Sequence, residues 1–250
     1  MASAGMNLPK SRTKSRKGVL SASLIARFSG VRRDSVRVVL AIPGAHRYPL
    51  ESGVVADMAR RAAVLGEVMS PVAEVEAWIY TARAYRLPNL RLADAERWIA
   101  DWAVLPKEPL LSRDAVPGNS LGRGAEEYGL FDAEDAAEAV KGITQSLPES
   151  EVATLVLFYF WGLHSEGTAL ADQFDAGAGR NVFWLFLGDL DGGSSVLDDL
   201  DALRAEAPHI RNVSLYRGWD AIEETPDHSF WRGVLNPFAR WRKGYPAARR

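Results

Sequence analysis

The stretch Val36-Arg37-Val38-Val39-Leu40-Ala41-Ile42, stopped at once by Pro43-Gly44, decides how this chain is read. It is nearly continuous in apolar residues and rich in β-branched ones, which is what a strand buried on both faces requires. Pro-Gly then breaks the strand. Beyond it, Val54, Val55, Met58, Ala62, Leu65 and Met69 recur at spacings of three and four, with Arg60, Arg61 and Glu67 between them. That spacing predicts an amphipathic helix over Gly53–Met69.

Working outward, the same alternation repeats. Glu74–Tyr80 reads as a second strand, Ala84–Leu90 as a short third one, and Leu92–Val104 as a helix carrying Trp98 and Trp102 four residues apart. That Trp pair suits core or groove packing better than a binding cage. Residues 105–130, with Pro106, Pro109 and Pro117, form the least ordered-looking interior stretch. Asp132–Leu147 reads as a helix with Asp132 as N-cap. Val152–Phe160 and Val182–Leu187 are buried strands, with helices near 166–176 and 195–205, and Ile210–Tyr216 closes the sheet. The last element is an aromatic-rich helix over Phe230–Lys243, expected to be interrupted at Pro237. Strands alternating with helices imply one doubly wound, mostly parallel α/β sheet in a single domain. Ligands of such sheets sit beyond the carboxyl ends of the strands. The loops that matter are therefore Pro43–Pro49, Trp161–Ser165 and Gly188–Ser195.

The chain has 250 residues, 47% of them hydrophobic and 25% charged, enough to bury a core without staples. It has no cysteine, which excludes disulfides, thiolate metal sites and cysteine nucleophiles. No apolar run is long enough for a membrane span, and no export signal is visible, so a cytoplasmic location is expected. The net charge of −2 hides an asymmetry. Lys10, Arg12, Lys14, Arg16 and Lys17 lie in residues 1–18, and Arg232, Arg240, Arg242, Lys243, Arg249 and Arg250 in residues 232–250, with no acid in either segment. Without them the middle holds nineteen Lys and Arg against thirty-two acids, a balance of −13. Such basic ends suit either an anionic partner or solvated tails. Residues 1–17 are expected to be a disordered basic tail, 18–243 the folded domain, and 244–250 a second basic tail.

The loops carry little recognisable chemistry. There is no G-x-G-x-x-G, no P-loop and no G-x-S-x-G. His46, His164, His209 and His228 are scattered, and none is placed to form a helical metal pair. His46, His164 and Asp189 follow the first, fourth and fifth strands, so they could make a facial set of metal ligands; solvated rim residues are the plainer reading. The acidic stretch from Asp189 fails as a calcium loop, since its fifth, sixth and twelfth positions are Gly193, Ser194 and Leu200.

From about Gly18 onward, the order of elements and several local strings resemble the von Willebrand factor A modules of the bacterial tellurium-resistance and stress-response group. The strings are VRVVLAIPGAH with the helix after it, VEAWIYTARAYRLPNLRL, VFWLFLG, LDDLDAL and FWRGVLNPFARWR. The resemblance implies a Rossmann-like fold and a strand-tip site for a divalent ion held by an Asp and two Ser, completed by a Thr and a further Asp. At the corresponding positions this chain has Ala41, Pro43 and Ala45, then Trp161, and the Thr-bearing loop falls within Asn119–Gly129, which has no Thr. The resemblance therefore implies a degenerate metal site with no cofactor. The expected function is a non-catalytic scaffold or adaptor in a stress-response system. It would hold a protein partner through the loop face at His46, Arg47, Tyr48, Trp161, His164 and Asp189, since aromatics and arginine dominate binding hot spots. The alternatives are anion or nucleic-acid binding through the basic termini, which lack interleaved aromatics, and an α/β enzyme rebuilt around His46, His164 and Asp189.

Overall fold

The computed structural model describes residues 10–32, 35–105, 118–150, 152–161, 167–177, 179–189, 209–216 and 225–244, with side chains of 10–16, 167–168 and 189 excluded. Its strands are β1 (Val36–Pro43), β2 (Glu74–Tyr80), β3 (Ala84–Arg86), β4 (Leu90–Arg91), β5 (Ala153–Trp161), β6 (Val182–Asp189) and β7 (Val213–Leu215). The helices are α1 (Lys10–Ser29), α2 (Arg47–Ser52), α3 (Val54–Met69), α4 (Ala95–Trp102), α5 (Ser120–Arg123), α6 (Ala136–Ser146), α7 (Gly167–Gly177) and α8 (Asp227–Gly244).

The sheet runs β3-β2-β1-β5-β6-β7, with β4 also pairing β2. Every pairing from β2 through β7 is parallel, while β3 and β4 are antiparallel to β2. The expected third strand thus forms as two short pieces. Leu87 still donates its N–H to Ala77 between them, but Pro88 has no N–H to continue the ladder.

Side chains of β1 alternate between the two faces, which explains its continuous apolar run. Val36, Val38, Leu40 and Ile42 join Leu155, Leu157, Phe183 and Leu185 under α1, α3, α4 and α8. Val39 and Ala41 join Val156, Phe158, Trp184 and Phe186 under α6 and α7. Both faces of the sheet are covered by helices.

Helix α3 is buried more deeply than an amphipathic surface helix, because it packs on β1 and β2 and is itself covered by α1 and α4. Gly53 joins it to α2 at φ 92°, a left-handed turn that favours glycine. Four expectations change. Residues 1–17 were expected to be disordered, yet α1 begins at Lys10; residues 1–9 lie outside the described set. The loop Pro43–Pro49 includes the start of a helix. The N-cap of α6 is Asp135 rather than Asp132: its Oδ1 accepts from Glu138 N at 2.9 Å. Helix α8 continues through Pro237. The helix expected near 195–205 and the tail 245–250 lie outside the described residues.

Small residues carry the α1 contact. Gly18, Ala22 and Ala26 are buried at helical spacing. A Cβ on Gly18 would stand 3.6 Å from Val64 of α3 and 3.9 Å from Asp227 of α8. Further along, Ser29 Oγ donates to Asn236 Oδ1 at 3.0 Å, so α1 and α8 run side by side in parallel. Phe230, Trp231, Val234, Leu235, Phe238 and Trp241 of α8 are all buried against the same core.

Candidate functional site

Strand order reverses at β1: β2 lies on one side and β5 on the other. Beyond the ends of β1 and β5 is the crevice where ligands of open α/β sheets bind. Gly44 leaves β1 donating its N–H to the Tyr80 carbonyl at 2.7 Å and accepting from Phe131 N at 3.0 Å. A Cβ there would stand 3.0 Å from side-chain atoms of Ile79, Thr81 and Leu130, so any larger residue would force these neighbours to shift. Phe131 is held at φ 69°, a left-handed conformation that costs a bulky residue about 1–2 kcal/mol.

Helix α2 then presents three expected partner-binding residues in succession. The Tyr48 ring packs on Trp161 at the tip of β5, with centroids 4.8 Å apart. Tyr48 remains 59% exposed. The Arg47 guanidinium lies 4.6 Å from the Phe131 ring centroid and 3.5 Å from Glu51. His46 Nε2 stands 3.3 Å from Glu134 Oε2.

Glu134 is a site residue that the sequence reading missed. Its side chain is only 11% exposed, and neither carboxylate oxygen has a hydrogen-bond partner among the described residues. Burial raises its pKa to about 7, with the nearby Tyr80 hydroxyl working in the opposite direction. That hydroxyl has one proton and donates it to the Tyr159 carbonyl at 2.8 Å. Burial first, and then the Glu134 charge, push the Tyr80 pKa well above its ordinary value. In sequence Glu134 is one of several acids near a helix start; nothing local marks it as the one turned inward.

The remaining expected residues divide. Asp189 pairs with Trp161 in the β5–β6 register, so the two strand tips adjoin. The Asp189 side chain and all of His164 lie outside the described residues. Ala41 is fully buried between Trp78 of β2 and Phe158 of β5 in the sheet register, and Pro43 is buried at the strand end. In the segment Asn119–Gly129, Asn119 caps α5, accepting from Gly122 N at 2.9 Å and donating to the Ala100 and Val104 carbonyls. Trp98 and Trp102 are packing residues: Trp98 Nε1 donates to the Pro88 carbonyl, and Trp102 meets Tyr128.

A hard divalent ion needs several oxygen ligands. Ala41, Pro43, Ala45 and Trp161 offer no side-chain oxygen, and Glu134 with His46 makes a set of two. Among the described residues no group of three or more metal-ligating side chains occurs. Among the described residues, the donor set does not fit the ion that the fold family implies.

No curated protein sequence matches the chain. Among solved structures, proximal thread matrix protein 1 from the mussel byssus, crystal form 2, is similar with a TM-score of 0.53 at 10% identity, covering 83% of this chain and 49% of that one. The chain therefore spans about half the length of that structure. The conserved hypothetical protein BatB from Bacteroides thetaiotaomicron gives a TM-score of 0.48 at 13% identity, covering 83% of this chain and 99% of that one. Likeness at such identities concerns the fold alone. The family profile "vWA-TerF-like: vWA found in TerF C terminus" matches residues 33–249, most of the chain. The chain belongs to the vWA-TerF-like family.

Proposed function

We propose that the protein is a non-catalytic scaffold or adaptor of a bacterial stress-response system of the tellurium-resistance type, acting in the cytoplasm. It holds a protein partner at the strand-tip face without a metal ion. The observation that carries this reading is the exposed Tyr48 ring seated on Trp161, with Arg47 beside it, at the switch point of the sheet. A rigid aromatic pair with an adjacent guanidinium presents large contact area at little entropic cost, as binding hot spots do. The family relationship supports the same face, because this is where its members carry their site.

Site-directed photo-crosslinking in the native host tests the proposal. A crosslinkable residue at Tyr48 should trap a discrete protein species, whereas one at exposed Val72, just before the amino end of β2, should not. Equal trapping at both positions, or trapping at Val72 alone, overturns the reading.

A further inference from the structure

Helix α1 inverts the usual rule for a surface helix. It buries Gly18, Ala22 and Ala26, packs Val19 and Ile25 partly against the core, and turns Leu20, Leu24 and Phe28 outward. Leu20 is 66% exposed, Leu24 55% and Phe28 86%. Spaced four residues apart, they form one convex ridge on the helix. Scattered exposed apolar residues need no explanation, but three in line on one element form a patch.

The charge around the ridge is of one sign. By sequence α1 carries no acid, and its described cations are Lys17 and Arg27. Its neighbour α8 adds Arg232, Arg240, Arg242 and Lys243, with Asp227 as its single acid. Asp227 is already paired with Arg61 at 3.5 Å. Elsewhere Arg37, Arg60, Arg86, Arg91, Arg97 and Lys141 pair with carboxylates, while Arg123 and Arg180 bond a hydroxyl and carbonyls instead. Among the described residues no carboxylate pairs with Lys17, Arg27, Arg32, Arg232, Arg240, Arg242 or Lys243. A cavity of about 460 Å³ opens beside the carboxyl end of α1, with Arg27, Arg32, Ser23 and Gly30 in its wall.

We propose that the α1–α8 face docks on an anionic phospholipid bilayer, with Leu20, Leu24 and Phe28 entering the acyl boundary and the surrounding cations meeting the lipid phosphates. An apolar ridge flanked by Lys and Arg is the composition of a helix that lies in the membrane interface. No described helix is long and apolar enough to cross a membrane, so the contact is peripheral. Charge selects among occupants. A second copy docking through the same face would set two acid-free basic helices against each other. A nucleic-acid backbone would use the cations but would gain nothing from Leu20 and Leu24, which cannot stack on bases as aromatics do. The surface lies apart from the strand-tip crevice and does not depend on the function proposed for it.

Flotation of the full-length protein with vesicles tests the proposal. Vesicles of phosphatidylcholine mixed with phosphatidylglycerol should carry the protein, and vesicles of phosphatidylcholine alone should not. Leu24→Glu and Phe28→Glu should each weaken binding about tenfold or more, by withholding a large side chain from the acyl region and adding a like charge. Both sites are exposed, so the melting curves should match wild type, and Arg27→Gln with Arg240→Gln provides a second pair that leaves the ridge intact yet lowers binding and its salt dependence. Absence of binding to anionic vesicles, or binding unchanged in Phe28→Glu, overturns the proposal. Tighter binding to a single-stranded oligonucleotide that survives Phe28→Glu would overturn it in favour of nucleic acid. A dimer abolished by Phe28→Glu, without vesicle binding, would overturn it in favour of self-association.

Discussion

The ring of Tyr48, on the short helix after β1, lies against Trp161 at the end of β5, with centroids 4.8 Å apart and planes inclined by 36°. The contact bridges the two strands that flank the switch point, so Tyr48 and Trp161 act as one unit. Tyr48→Ala and Trp161→Ala should therefore be non-additive in urea denaturation, with the double variant less destabilised than the sum of the singles. The shortfall should be about 0.5–1.5 kcal/mol, the worth of an aromatic pair beyond its buried area. Strict additivity would show that the rings do not meet in solution.

Glu134 predicts a pH dependence. Its pKa rises from an ordinary 4.5 to about 7 in the folded protein. The folded state therefore holds this proton more tightly than the unfolded chain does. The resulting stabilisation is full below about 4.5 and is lost as pH rises through about 7. The groups facing the carboxylate are His46 on the β1 side and the Tyr80 hydroxyl at the end of β2. Glu134→Gln keeps the shape and removes the titration. The stability difference between wild type and Glu134→Gln, followed by urea unfolding, should shift against wild type by on the order of 2–3 kcal/mol between pH 4 and pH 8. A difference independent of pH would show that Glu134 is solvated.

Metal should leave the protein unchanged. With Ala41, Pro43, Ala45 and Trp161 at the positions of the implied ligands, millimolar magnesium or manganese should produce neither heat in calorimetry nor a shift in melting temperature. A melting shift abolished by His46→Ala or Glu134→Gln would place a metal in the crevice after all.

The two ends should respond differently to truncation. Removing residues 1–17 takes away the first turns of α1 but leaves Gly18, Ala22 and Ala26 in place, so melting should change little. Ending the chain before Phe230 removes Phe230, Trp231, Leu235 and Phe238, each at most 1% exposed. Single large-to-small changes at buried aromatics cost about 3–5 kcal/mol, against a total stability of about 5–15 kcal/mol. That truncation should be insoluble or unfolded, and Trp231→Ala in the full chain should show a large loss in thermal melting. An unchanged melt for either would show that α8 is not part of the core.

Much of the fold was legible in the chain itself. Burial on two faces makes β1 continuously apolar, the alternation of β2 marks a strand, and the three-and-four spacing of α3 marks a helix. All three are therefore written in local composition, though the depth at which α3 is buried is not. The loss of oxygen donors at Ala41, Pro43 and Ala45 was equally plain, because side-chain chemistry does not depend on folding. What the tertiary structure alone decided is which of several similar residues turns inward. Glu134 and Asp135 are neighbouring acids, yet one is buried beside Tyr80 and the other caps α6. The meeting of Tyr48 with Trp161 depends on β1 and β5 being adjacent in the sheet. Helix α1 went unread because its buried seam is glycine and alanine, while its leucines and phenylalanine face out. A hydrophobic pattern reports the side chains that prefer to leave water, and only the packing of α1 on α3 and α8 determines which of them do.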